Sequence, residues 1–170
     1  FLGGFLAAVA AAVVLLRRYR LPALATFDLV APSLALGHAI GRVGCLLAGC
    51  CWGARCDLPW AITYTSPVAA QRLGTPLHVP LHPYPVYEAI FNFALYLALA
   101  ALFKRGPAPG RVFATYLVLY GVGRFLLEGT RGDAARGFVL SGALSTSQLL
   151  ALGLLAAGAG LHWWLGRRRR

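Results

Sequence analysis

Apolar residues run without a charge from Phe1 to Leu16, and further long apolar runs, sparsely interrupted, follow at 27–52, 84–103, 111–128 and 145–165. A hydrocarbon core about 30 Å thick needs about 20 apolar helical residues, so this pattern predicts membrane spans. The expected fold class is all-α, a polytopic transmembrane helical bundle of about five spans forming a single integral membrane domain over 1–170. Residues 53–83 break the pattern. Pro59, Pro67, Pro76, Pro80 and Pro83 interrupt any long periodicity, and Trp60, Ile62 and Tyr64 alternate like a short strand. They predict an outer loop of mostly irregular structure lying on the membrane surface. Thr26 is placed to cap the second span, which contains Pro32, and the GPAPG turn at 106–110 folds the third and fourth spans into a hairpin. No internal repeat is visible.

Composition sharpens this. With 59% hydrophobic residues, 12% charged residues and a mean hydropathy of +0.68, the chain is too apolar for an ordinary soluble domain. A net charge of +11 raises the question of nucleic acid, but the basic residues form short clusters between apolar runs rather than a groove, so no nucleic-acid partner is expected. Clusters at 17–20, 104–111 and 167–170 hold ten of the sixteen basic residues and fall on alternate ends of successive spans. The positive-inside rule makes that side, and the C-terminus, cytoplasmic. Arg55, Arg72, Arg131 and Arg136 lie in the opposite loops, the last two beside Asp133 in the polar connection 131–144. Phe1 is no translation start and the chain holds no methionine, so it reads as a fragment or processed form with sequence preceding it.

The candidate chemistry lies inside the membrane. At about 1.5 Å per residue, Arg42 lies roughly 23 Å into its span, Arg124 roughly 20 Å from Arg111, and Glu88 roughly 24 Å from Lys104. Three spans therefore bring ionisable groups to one layer, past the midplane toward the outer face. His38, Arg42, Cys45, Gly49 and Trp52 share one helical face, beside a bare patch of Gly37, Gly41 and Gly44 suited to close helix approach. Tyr116, Tyr120, Arg124 and Glu128 form a second stripe, continued by Arg131, and Glu88, Asn92 and Tyr96 a third. Two readings follow. Arg42 and Arg124 pair with Glu88 and Glu128 and merely hold the bundle together, or they face a polar cavity. Four poorly paired charges would cost roughly 10 kcal/mol, which favours the cavity. Two guanidiniums there suit a phosphate, the obvious one being that of a phospholipid.

His82, at the outer mouth of the third span near Tyr87 and Glu88, reads as a ligand, a base or a solvated loop residue. His38, one turn from Arg42, reads as orienting it, with a base role open. His78 and His162 are loop and interface residues. Cys45, Cys50, Cys51 and Cys56 are spaced C-x4-C-C-x4-C, which is not a zinc-ribbon pair. They read as small apolar residues, as a disulfide involving Cys56, or as a metal or thiol-intermediate site. No metal site and no cofactor is assigned.

These residues resemble the prolipoprotein diacylglyceryl transferases. GRVGCLLAGCCWG at 41–53 is similar to that family's Gly-Arg-x-Gly-Asn-Phe run closing in Gly-Glu-x-x-Gly. HPYPVYE at 82–88 resembles its His-Pro-x-x-Leu-Tyr-Glu element, and YGVGRFLLEGTR at 120–131 its Tyr-x-x-x-Arg-x-x-x-Glu-x-x-Arg helix. LSTSQLLAL at 144–152 is similar to the family's approach to its last span. The resemblance covers essentially the whole chain, with earlier spans expected before Phe1. It implies transfer of diacylglyceryl from phosphatidylglycerol to the lipobox cysteine thiol of an exported preprolipoprotein, in the bacterial inner membrane, with the active cavity toward the outer leaflet. It places Arg42 and Arg124 on the head group, with Tyr120, Glu128 and Arg131 supporting the second, and Glu88 and Tyr87 at the family's paired acidic and phenolic positions. Catalytic roles are thus expected for Arg42, Arg124, Glu128 and His38. Substrate binding is expected for Arg42, Arg124, Tyr120, Arg131, Tyr87, Glu88 and His82, with membrane lipids as further partners. The family's histidine in a His-Gly-Gly element is Leu2 here, its signature asparagine is Cys45 and its glutamate Cys50. Thiol activation then falls to His38 or another route. The alternative is a non-catalytic or differently acting relative that binds phospholipid head groups, with the cysteines in a redox or structural role.

Overall fold

The computed structural model describes residues 2–132, 137–139 and 144–168; Asp133, Arg136, Arg169 and Arg170 lie outside the described residues. In chain order the elements are α1 (Leu2–Arg18), α2 (Ala23–Ala48), α3 (Pro67–Leu73), α4 (Tyr84–Lys104), α5 (Arg111–Leu127), a 3-10 turn (Glu128–Thr130), the antiparallel pair β1 (Phe138–Val139) and β2 (Leu144–Ser145), and α6 (Thr146–Arg167). The fold is an all-α bundle. α2, α4, α5 with its 3-10 extension, and α6 are each long and apolar enough to cross a membrane. The expected span over 1–16 is α1, whose 17 residues rise about 25 Å, short of a hydrocarbon core of about 30 Å.

Element ends differ from the sequence reading for local reasons. Pro22, not Thr26, precedes the first turn of α2, and the Thr26 hydroxyl instead donates to the Pro22 carbonyl at 3.0 Å. A span read as 27–52 therefore occupies Ala23–Ala48. Gly49 ends it in the left-handed region at φ +76°, a conformation that favours glycine, and this carries Cys50, Cys51 and Trp52 off the helical face. α3 interrupts a loop expected to be irregular. Ser66 precedes it, Pro67 occupies its first turn and Gly74 closes it at φ +68°, the usual asymmetry of proline at the start and glycine at the end.

α2 lies along α4 and α5 along α6, with α4 and α2 both meeting α5. The bare patch of Gly37, Gly41 and Gly44 meets no neighbour among the described residues. Close approach occurs instead at the α5–α6 seam. A β-carbon on Gly121 would lie 2.8 Å from Leu155 Cγ and 2.9 Å from the Ala151 carbonyl, and one on Gly158 would lie 2.8 Å from Val118 Cγ2. Ala31, Ala35, Leu95, Leu99 and Val112 form the buried core between α2, α4 and α5. At one end the buried Asp28 carboxylate accepts from the backbone N–H of Gly110 at 2.6 Å and of Phe113 at 2.7 Å, satisfying the start of α5 from α2.

At the other end the loops are joined through backbone. Gly53 N–H donates to His82 O (3.2 Å), His82 N–H to Ala54 O (2.8 Å), Ala54 N–H to Thr130 O (2.9 Å) and Gly132 N–H to Trp52 O (3.2 Å). This rim fixes the end of α2, the start of α4 and the end of α5 together. Tyr64 and Ile62 form isolated bridges to Leu77 and Leu81 in place of a continuous strand.

Candidate active site

Just inside that rim, α2, α4 and α5 present ionisable side chains to one another. Arg42 and Glu88 join α2 to α4: Nη2 donates to Oε1 at 3.1 Å and Nε stands 2.8 Å from Oε2. Arg42 Nε also donates to His38 Nε2 at 3.2 Å, and His38 Nε2 lies 3.5 Å from Glu88 Oε1. Since a guanidinium only donates, His38 Nε2 is the acceptor in its contact with Arg42. The remaining arm of Arg42, Nη1, has the Cys45 sulfur at 3.8 Å.

The second group is built on Arg124. Its Nη1 donates to the Tyr84 hydroxyl and stands 2.9 Å from Glu128 Oε2, and its Nη2 donates to Ser147 Oγ at 2.8 Å. The Arg124 and Arg131 guanidiniums lie 6.0 and 5.4 Å from the centroid of the buried Tyr84 ring. Tyr84 and Glu88 are one turn apart on α4, so a single helical face joins the two arginine groups. Tyr120 lies beside the first group, its ring 5.5 Å from His38 and 5.6 Å from Tyr116.

Exposure differs between the partners. Glu88 and Glu128 side chains are 1% and 3% exposed, Arg42 and Arg124 side chains 16% and 11%. In each pair the carboxylate is buried while the guanidinium keeps some exposure. Both pairing and partial access are therefore present, which the sequence reading had set against each other. Paired, partly exposed guanidiniums can hold an anion's oxygens without leaving an uncompensated charge when the anion departs.

His82 and Tyr87 form a separate group with Trp60. The Tyr87 hydroxyl accepts from Trp60 Nε1 at 2.8 Å and lies 3.3 Å from His82 Nδ1. The cysteines are all free thiols. The sulfurs of Cys45, Cys50 and Cys51 lie within 4.8 Å of one another, while Cys56 is buried outside that group. Burial, followed by the neighbouring thiols, pushes the Cys50 thiol up to about 12, so it is not a ready thiolate at neutral pH.

A family model described as prolipoprotein diacylglyceryl transferase matches residues 1–164. The chain belongs to the prolipoprotein diacylglyceryl transferase family. It is 43% identical over 132 residues to the phosphatidylglycerol–prolipoprotein diacylglyceryl transferase of Clostridium tetani, covering 77% of this chain and 49% of that protein. It is also 35% identical over 168 residues to the protein of the same name from Gloeobacter violaceus, covering 98% of this chain and 60% of that protein. The chain thus spans about half the length of these curated relatives. With four helices long enough to cross a bilayer, this member of the transferase family is a multi-pass membrane protein.

Sequence reasoning missed two side chains at the centre of this charged cluster. Tyr84 extends the stripe of Glu88, Asn92 and Tyr96 backward by one step of four, so its position was readable. Ser147 stands in the LSTSQLLAL stretch, on the first turn of a helix held by a capping box between Ser145 and Gln148. The i to i+3 spacing of Ser and Gln was the available signal.

Proposed function

We propose that this chain supports transfer of diacylglyceryl from phosphatidylglycerol to the lipobox cysteine thiol of an exported preprolipoprotein. The observation that carries the reading is the joining of two arginine groups along one face of α4, Arg42 through Glu88 and Arg124 through Tyr84, each guanidinium paired with a buried carboxylate while itself partly exposed. A phosphate oxygen is a far stronger acceptor than the thiol that Arg42 Nη1 now meets. The acceptor thiolate attacks the glyceryl carbon and forms the C–S bond. The bond from that carbon to the phosphate oxygen breaks, and glycerol phosphate leaves with the electron pair. Arg42 and Arg124 take up the charge that grows on the leaving phosphate. The thiol proton leaves to a base. His38 can take it only after releasing Arg42, so its first role is to orient the guanidinium.

In this reading Glu88 and Glu128 position the arginines, Tyr120 and Arg131 flank the head group, and His82 with Tyr87 faces the incoming peptide at the outer mouth. The protein lies in the bacterial inner membrane with its C-terminus in the cytoplasm, a placement supported by the alternation of basic clusters along the chain.

The test uses purified protein, phosphatidylglycerol and a lipobox peptide, with the thioether product followed by mass spectrometry. Arg42→Ala and Arg124→Ala should each slow transfer by about 10²–10³-fold, the usual loss on removing one donor to developing charge. No adduct, or an adduct indifferent to both substitutions, overturns the reading in favour of a relative that binds head groups without transferring them.

A further inference from the structure

The lipid chemistry proposed above does not use the three gathered thiols, and the packing reading of a membrane cysteine does not explain why they meet. α2 ends in a turn that folds the chain back on itself: Gly49 adopts φ +76° and Cys50 N–H donates to the Cys45 carbonyl at 3.1 Å. Cys51 then takes φ +57°, a left-handed conformation uncommon for residues with a β-carbon and kept where the surroundings impose it. The result is three sulfurs, from positions 45, 50 and 51, within 4.8 Å of one another. A disulfide would use two of them and strand the third.

We infer that Cys45, Cys50 and Cys51 form a binding site for one thiophilic metal ion, with Cu(I) the best match to three sulfur ligands. Soft thiolate donors select such ions. Metal–sulfur bonds of about 2.3 Å place the sulfurs of a trigonal site about 4 Å apart, so the observed spacing needs only a small contraction. Binding displaces the three thiol protons to solvent, and no electron changes hands.

Two neighbours complete the surroundings of such a site. Tyr64 packs its ring on the Gly49 turn, and its buried hydroxyl has no hydrogen-bond partner among the described residues. A phenol there donates to a metal-bound thiolate, the outer contact that such sites usually carry. Arg42 Nη1, 3.8 Å from Cys45 Sγ, offsets the surplus negative charge of three thiolates around a monovalent ion. The inference rests on the thiols alone and stands whether or not the chain transfers diacylglyceryl.

The experiment is an anaerobic titration of the reduced, detergent-purified protein with Cu(I) against a chromophoric chelator, followed by X-ray absorption at the copper edge. The expected result is one ion per chain with three sulfur neighbours at about 2.3 Å. Cys50→Ser and Cys51→Ser should each weaken binding by more than about 100-fold, and Tyr64→Phe by about 10-fold, the lower end for loss of an outer-shell contact. Cys56→Ser should leave binding unchanged. The wild-type spectrum needs no variant to fold, so it decides the matter independently. Fewer than three sulfur neighbours, uptake unaffected by Cys50→Ser in protein of unchanged elution, or a disulfide among residues 45, 50 and 51 in protein purified without reductant would overturn the assignment. Preferential filling of the site by Zn(II) would overturn the choice of Cu(I).

Discussion

Arg42 and Arg124 sit in one layer of the same bundle, each with a buried carboxylate, yet the two are held in different ways. The carboxylate of Arg42 comes from another helix, 46 residues away, and its other partners are a ring nitrogen and a sulfur. The carboxylate of Arg124 lies one turn on, at the start of the 3-10 turn that extends α5, and its other partners are hydroxyls from α4 and α6. The first pair is a tie between helices. The second is a local pair whose orientation depends on how two further helices approach. The same charge chemistry therefore serves cohesion at one position and aim at the other. At Arg42 the two functions share a single bond set, while at Arg124 they are divided.

The largest separation should come from removing one carboxylate at a time. Glu88→Gln leaves Arg42 without its inter-helix partner and should destabilise the protein by about 3 kcal/mol, the low end for a broken buried pair because the guanidinium keeps some solvent. Glu128→Gln should cost about half as much, because Arg124 retains Tyr84 and Ser147. Unfolding of both variants in detergent, with the Arg42→Gln/Glu88→Gln double variant to isolate the coupling, reads this directly. Equal losses would break the contrast. Next, Tyr84→Phe removes a hydroxyl from a charged donor and should cost about 2 kcal/mol. In the transfer assay it should raise the apparent KM for phosphatidylglycerol more than it lowers kcat.

Smaller effects test whether Arg124 is aimed through the α5–α6 seam. Gly121→Ala places a methyl against Leu155 and the Ala151 carbonyl and should cost about 1.5 kcal/mol by overpacking. It should also weaken the Ser147 contact, so activity should fall in Gly121→Ala and not in Gly37→Ala, whose β-carbon meets open space. Ser145→Ala removes the α6 capping box and should cost about 1 kcal/mol in the same unfolding assay. If it leaves activity intact, the cap serves the helix alone.

Much of this was readable in the chain because membrane helices advertise themselves by length. Tyr84–Lys104 and Arg111–Leu127 follow runs bounded by Pro83, Lys104 and Gly110, where chain geometry and charge both change. The stripe of Tyr120, Arg124 and Glu128 was equally plain, since spacing along one helix needs no tertiary knowledge. The mate of Arg42 was a matter of depth. Rise per residue put Glu88 in its layer, but only packing of α2 on α4 makes the contact. The glycines misled for the same reason: Gly37, Gly41 and Gly44 look like a docking face, whereas Gly121 and Gly158 have facing side chains that need the space. A glycine's use depends on what stands opposite, which one helix does not record. The gathering of three sulfurs was hidden by the left-handed turn at Gly49, which takes Cys50 and Cys51 out of helical register.

The four amides that lace Trp52–Ala54, His82 and Thr130–Gly132 carry a consequence for how such a chain can vary over time. A frame knit from main-chain groups makes few demands on the identity of the side chains it carries, provided that Gly53 and Gly132 leave room for the strands to touch. Neighbouring loop positions can then carry different side chains while the guanidiniums just inside the frame keep their places.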